Sequence, residues 1–251
     1  MRVFILPPSF SGTKEFQLDS KDSHYLTRVL RLQTGSLFPG RDRQGNVWDL
    51  LISDVVNNSV LLTCTPAVNR YLQPQIPTIS LFQCVCKGKK MDQIIRQSTE
   101  IGIKEIIPVI SRYTLSNAGS STQISQQKIQ RWEIIIKEAL QQSGSPVLTK
   151  LFTPRSFDEI LEMVSNGYVG LFFHQEIISS STLTETLLTY KESENRLPLA
   201  ILIGPEGGFS EKEVDKMRKT GLNPVFLNTN ILRAETAAIY ALAATQTLLS
   251  D

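Results

Sequence analysis

Cysteine is scarce. Cys64, Cys84 and Cys86 are the only three in 251 residues, too few and too close together for a disulfide framework. Histidine occurs twice, and no Cys-x-x-Cys pair or His cluster offers metal-ligand spacing, so no metal is expected. Charge of one sign is missing as well: the formal net charge is only +2, so any nucleic-acid surface must come from local clustering of basic residues. Long apolar runs are absent too. The opening Met1-Arg2-Val3-Phe4-Ile5-Leu6 stretch is halted by Pro7-Pro8, too short for a signal peptide. Nothing approaches the roughly 20 apolar residues of a membrane helix. The expectation is a cytoplasmic protein with free buried thiols and no membrane partner.

What is present divides into two patterns. Up to about residue 70 the chain reads as short strands: Val3–Leu6, Ser36–Phe38, Asn46–Ile52 and Ser59–Thr63, with turns at Gln44-Gly45-Asn46 and Asn57-Asn58. One helix is predicted over Ser23–Leu32, with Leu26, Val29 and Leu30 on one face. This pattern suggests a compact β-barrel over 1–70. A proline-bearing stretch follows, and a linker is placed at 71–77. From residue 78 to 251 strands and helices alternate, which predicts an α/β domain with a mainly parallel sheet covered on both faces. Its strands are expected at Thr78–Val85, Glu105–Ile110, Tyr168–Phe173, Leu199–Ile203 and Pro224–Leu227. Its helices are expected at Met91–Ile101, with Gly102 as C-cap, at Ser125–Gln142, Ser156–Val164 and Thr182–Tyr190, after Ser210, and through the alanine-rich end. Residues 116–123, serine-rich and polar, read as a surface loop.

Two late segments carry the chemistry. Leu199–Ile203 runs into Gly204-Pro205-Glu206-Gly207-Gly208, and a helix opens at Ser210. A strand, a glycine turn and a helix N-terminus form a common ligand seat in α/β proteins. The bland alternative is a tight turn. Glu206 disfavours an anionic guest and favours a cationic or hydroxyl-rich one. Next, Asn228-Thr229-Asn230 turns into Ile231-Leu232-Arg233-Ala234-Glu235, and the two loops can share one pocket. Arg233 could stabilise negative charge on a reacting group, and Glu235 could accept a proton or simply complement the helix dipole. Basic residues gather at Arg28, Arg31, Arg41 and Arg43, and again at Lys87, Lys89 and Lys90; each set fits either solvated surface or phosphate contacts.

The segments 204–210 and 231–237, with His24–Leu32 and Lys87-Gly88-Lys89-Lys90-Met91 through Glu100-Ile101-Gly102, resemble the RsmE-type family of the SPOUT superfamily, over nearly the whole chain. That family methylates N3 of a uridine in 16S ribosomal RNA of the small subunit. The resemblance implies a PUA-like RNA-binding β-barrel, a C-terminal α/β trefoil-knot domain, a homodimer, and S-adenosylmethionine as cofactor. It implies cofactor contacts from Phe172, Phe173, His174, Ile203, Gly204, Pro205, Glu206, Gly207, Gly208, Leu227, Asn228, Ile231, Leu232 and Ala237, and RNA contacts from the two basic clusters. It leaves Arg233 and Glu235 as the catalytic pair. Asn228 stands where the family usually has glycine, Asn230 where arginine is common, and Ala234 where threonine is usual. Two other functions fit the same residues: a ribose 2′-O-methyltransferase of this superfamily, and a non-catalytic RNA-binding assembly factor.

Overall fold

The computed structural model describes residues 3–67, 77–115, 124–174, 181–193, 197–227 and 229–250. The expected linker lies mostly outside these residues, as do the serine-rich loop and Asn228. The chain forms two compact units, one of residues 1–74 with 140–148, the other of residues 75–139 with 149–251.

The first unit is a five-stranded sheet in the order β1-β3-β4-β5-β2, with β1 at Phe4–Ile5, β2 at Glu15–Gln17, β3 at Leu37–Arg41, β4 at Val47–Val56 and β5 at Ser59–Pro66. Only the β1–β3 pairing is parallel. The alternation of apolar and polar residues along β4 and β5 puts Leu50, Ile52, Val60 and Leu62 into a closed core with Phe10 and Trp48. Asn57 and Asn58 both sit at positive φ, the geometry a two-residue hairpin needs to match strand twist. The residues from 140 to 148 join this unit through Val3 N–H to the Gln141 carbonyl (3.1 Å), a return that local sequence gives no sign of.

The helix expected at Ser23–Leu32 is shifted and distorted. An α-helical turn, α1 at Ser20–His24, is capped by the Asp19 carboxylate and widens into a π-turn over Tyr25–Val29. Leu30 N–H then reaches the Tyr25 carbonyl, and Arg31 at φ 56° stops the helix. The extra residue per turn breaks the expected apolar face: Leu26 is fully buried, whereas Val29 is 57% exposed.

The second unit is an all-parallel sheet. Its elements are β6 at Ile79–Cys84, α2 at Lys90–Ile101, β7 at Glu105–Ile110, a short α3 at Arg112–Leu115, α4 at Gln126–Ser143, β8 at Lys150–Leu151 and β9 at Arg155–Ser156. Then come α5 at Phe157–Gly167, β10 at Val169–Phe173, α6 at Leu183–Glu192, β11 at Leu199–Ile203, α7 at Glu211–Lys219, β12 at Asn223–Val225 and α8 at Ala234–Ser250. Strand order is β12-β10-β11-β6-β7-β8, with β9 also on β7. Strands β6 and β11 are buried along their whole length, which explains their unbroken apolar runs.

Helix starts are written locally. Ser156 with Glu159, Thr182 with Glu185, and Ser210 with Glu213 each form a reciprocal capping box. Helix α2 buries Met91, Ile94, Ile95 and Ser98 completely and ends on Gly102 at φ 95°. In α8, Ala234, Ala238 and Ala241 are buried, and the helix packs on α2, where Gln246 Nε2 donates to the Ile101 carbonyl. Small side chains permit that close approach.

Candidate functional site

Three adjacent parallel strands, β12, β10 and β11, deliver their C-terminal ends to one cleft in the second unit. The cavity measures about 280 Å³ and is open to solvent on one side. Such strand ends are where open α/β sheets hold ligands.

The loop after β11 forms the first wall. Gly208 N–H donates to the Pro205 carbonyl at 2.9 Å, closing a turn over 205–208. Gly204 lies so near this turn that a Cβ there would stand 3.2 Å from the Gly208 carbonyl carbon, so a side chain would push the loop open. Beneath it, buried Gln83 reaches from β6 with Nε2 donating to the Cys84 carbonyl (2.9 Å) and the Gly204 carbonyl (3.4 Å). Phe209 turns inward against Phe157 and Phe172, anchoring the far end.

Glu213 ties this loop to the rest of the sheet. It is 7% exposed; its Oε2 accepts from Ser210 N (2.9 Å) and Ser210 Oγ (2.8 Å), and its Oε1 accepts from Arg112 N (2.8 Å). The turn after β7 is thereby pinned beside Gly207, where an added Cβ would lie 3.4 Å from the Tyr113 side chain.

Glu206 is not a bare carboxylate. Its Oε1 accepts from Lys90 Nζ at 2.9 Å and from Lys87 N–H at 3.0 Å. Partial burial works against its ionisation, but the Lys90 hydrogen bond and the backbone N–H donors outweigh it, holding its carboxyl below the ordinary range. The same bond raises Lys90. Burial pushes the nearby Cys86 thiol up to about 12 and Cys84 higher still, so both stay protonated at neutral pH.

The second wall comes from β10, with Phe173 and His174, and the third from the loop after β12. Of the residues expected here, Ile203, Gly204, Pro205, Glu206, Gly208, Leu227, Ile231, Leu232 and Ala237 also line the cleft. Phe172 does not; it is fully buried in the core behind. Gly207 faces Tyr113 instead. Thr229 and Asn230, in the second of the two expected loops, line the cleft as well, whereas sequence reasoning missed Phe209, Phe226 and Ala234. Phe226 follows the last paired residue of its strand, so its turn into the cleft has no periodic signal.

Arg233 lies on the cleft wall and is exposed; its carbonyl accepts from Ala237 N–H, opening α8. Glu235 is not on that wall. It sits in the first turn of α8, and its Oε2 is buried without a hydrogen-bond partner among the described residues.

The basic residues divide. Arg28, Arg31, Arg43, Lys87 and Lys89 are exposed. Arg41 is not: it is 4% exposed, with one guanidinium nitrogen donating to the carbonyls of Gly45 (3.1 Å) and Pro146 (3.4 Å). Its Nε is buried without a hydrogen-bond partner among the described residues, and it is burial in the first unit, not saturation, that keeps this guanidinium from phosphate. Lys90, expected with Lys87 and Lys89, lines the cleft and is paired with Glu206.

A parallel sheet whose strand ends meet at one cleft, bounded by a glycine turn and a helix-opening arginine, defines a ligand-binding α/β domain. The model of the RNA methyltransferase domain family matches residues 73–246. The ribosomal RNA small subunit methyltransferase E of Synechocystis is 32% identical over 236 residues, covering 93% of this chain and 73% of the relative. The ribosomal RNA small subunit methyltransferase E 2 of Borreliella burgdorferi is 32% identical over 239 residues, covering 93% and 91%. Among solved structures, a Neisseria gonorrhoeae ribosomal RNA small subunit methyltransferase E bound to S-adenosylmethionine aligns over 99% of this chain and 98% of its own, at TM-score 0.82 and 24% identity. A Legionella pneumophila methyltransferase in complex with the same cofactor covers 98% and 96%, at TM-score 0.79 and 25% identity. The chain belongs to the ribosomal RNA small subunit methyltransferase E family.

Proposed function

We propose that the protein transfers a methyl group from S-adenosylmethionine to N3 of a uridine in 16S ribosomal RNA of the small subunit. The observation that carries this reading is the cleft formed by three strand ends, with Arg233 on its wall. The residues present suit the donor. Phe226, Leu227, Ile231 and Leu232 give apolar cover for a purine, and Glu206 gives a carboxylate for the cationic part. The close approach of Gly204 to Gly208 leaves backbone, not side chain, facing the guest.

When bound, S-adenosylmethionine supplies an electrophilic methyl group. The neutral imide N3 of uracil is a poor nucleophile, so its proton must leave as the bond forms. Arg233 would face a uracil carbonyl and stabilise the negative charge that develops there, the type of contact that contributes about 2.7–4 kcal/mol in comparable sites. The proton acceptor is assigned to water in the open cleft in preference to Glu235, whose carboxylate lies off its wall.

In the same reading residues 1–70 form a PUA-like barrel that holds RNA, 71–77 a linker and 78–251 the trefoil-knot catalytic domain. The protein works in the cytoplasm as a homodimer with α8 at its interface. Arg28, Arg31, Arg43, Lys87 and Lys89 carry phosphate contacts, and Arg41 is withdrawn from that set because it is buried.

The test is to incubate the purified protein and labelled S-adenosylmethionine with small subunits lacking N3-methyluridine, then to analyse the nucleosides by mass spectrometry. Appearance of 3-methyluridine is expected. A 2′-O-methyl nucleoside in its place would refute the base as target, and absence of both methylation and donor binding would leave a non-catalytic RNA-binding protein.

A further inference from the structure

We propose that the Lys90–Glu206 ion pair sets how strongly the cleft prefers the cationic methyl donor over its neutral thioether product, S-adenosylhomocysteine. This rests on the donor site proposed above. Lys90 opens α2 and Glu206 sits in the turn after β11; both side chains line the cleft and meet at 2.9 Å. The pair is half-shielded, with side-chain exposures of 37% and 28%. Lys87 N–H holds the same Glu206 oxygen from a second direction, so the carboxylate is fixed in place.

Donor and product share the adenosine and amino-acid parts. They differ by one methyl group and one positive charge. Contacts to the shared parts therefore cancel in the ratio of the two dissociation constants, and the ratio reads the charge environment and the space for the methyl. Glu206 attracts the sulfonium, and Lys90 repels it and neutralises Glu206. The other charged or titratable groups near the pair are Arg233 and His174 on the wall, Glu235 in the first turn of α8, and the protonated Cys86 thiol. Lysine at this position thus weakens the preference for the cationic donor relative to a lone carboxylate. A chain built for repeated turnover gains from that balance, because an uncompensated carboxylate would bind the donor tightly in the ground state without lowering the barrier.

The experiment is calorimetric titration of the full chain with S-adenosylmethionine, S-adenosylhomocysteine and sinefungin, whose amine keeps a positive charge near the sulfonium position but transfers nothing. Lys90→Met retains the apolar stem and frees Glu206; it should raise the product-to-donor ratio of dissociation constants by about two- to five-fold, the range for a partly exposed ion interaction. Glu206→Gln still accepts the Lys87 N–H and should lower the ratio by a similar factor. Sinefungin should follow the donor in both variants. Ratios that stay at the parent value in both, or move the same way, overturn the proposal. A parent that binds neither donor nor product overturns the donor-site reading itself, so the two failures are distinct.

Discussion

Glu213 makes a sharp test of how the cleft is held. Its carboxylate accepts three hydrogen bonds in a site 7% exposed: from Arg112 N on Oε1, and from Ser210 N and Ser210 Oγ on Oε2. In Glu213→Ala the Ser210 hydroxyl can rotate to another partner, but the two backbone N–H groups cannot. An unsatisfied buried donor costs about 1–3 kcal/mol, and bonds to a charged acceptor lie at the upper end, so about 3–5 kcal/mol in total is expected. Glu213→Gln keeps one oxygen for Ser210 but turns an amide N–H₂ toward Arg112 N, which should cost about 1–3 kcal/mol. Urea unfolding followed by fluorescence would measure both. The two tryptophans divide between the units, so a Trp48→Phe background leaves buried Trp132 to report on the second. A midpoint shift without change in slope assigns the loss to the native state. Donor affinity should fall alongside, since the turn over 205–208 loses its tie to the Tyr113 turn. A loss below about 1 kcal/mol in Glu213→Ala would refute the reasoning, because it would mean that neither N–H depends on this carboxylate.

Arg233→Ala should leave donor binding near the parent value and lower turnover by about 10²–10³, read in single-turnover methylation; a variant as active as the parent excludes Arg233 as charge stabiliser. Arg41→Met should destabilise the first unit by about 1–3 kcal/mol, seen in Trp48 fluorescence, while Arg43→Ala should leave stability alone and weaken RNA binding, with the salt slope reduced by roughly 0.7–0.9. In Gly170→Ala the new Cβ would meet Val164 Cγ1 at 2.6 Å and Leu222 Cγ at 2.7 Å, so overpacking should cost about 1–3 kcal/mol in the second unit. Ser156 Oγ and N–H, then Arg155, hold Glu159 down to about 2 from its ordinary 4.5. Because the folded value is the lower one, the stabilisation is complete above about 4.5 and is lost as pH falls toward about 2; Glu159→Gln should flatten the acid limb in that window.

The elements that sequence placed well are those with local causes. The alternation in β4 and β5, the asparagine pair of their hairpin, the apolar runs of β6 and β11 and the α2 stripe ending on Gly102 each follow from neighbours within a few residues. The helix starts expected at Ser156, Thr182 and Ser210 are local too, each coinciding with a Ser/Thr-x-x-Glu capping box that opens α5, α6 or α7. By contrast, Phe226 reaches the cleft because the backbone turns just past the last paired residue of β12, and Phe172, paired within β10, faces the core.

By itself, then, the sequence determined most of the strands and helices, though not the short β2, β8, β9 and α3, and it singled out the two late loops that line the cleft. Tertiary structure decided which strands became neighbours, and through that the contents of the cleft. Lys90 and Glu206 stand 116 positions apart, and Arg41 meets Pro146 across 105. Periodicity and capping act over one or two turns of chain, whereas a charge's partner and its access to water depend on what the sheet order brings alongside. Hence one basic residue is buried in the first unit, another pairs with a carboxylate, and others stay exposed, although all are written alike.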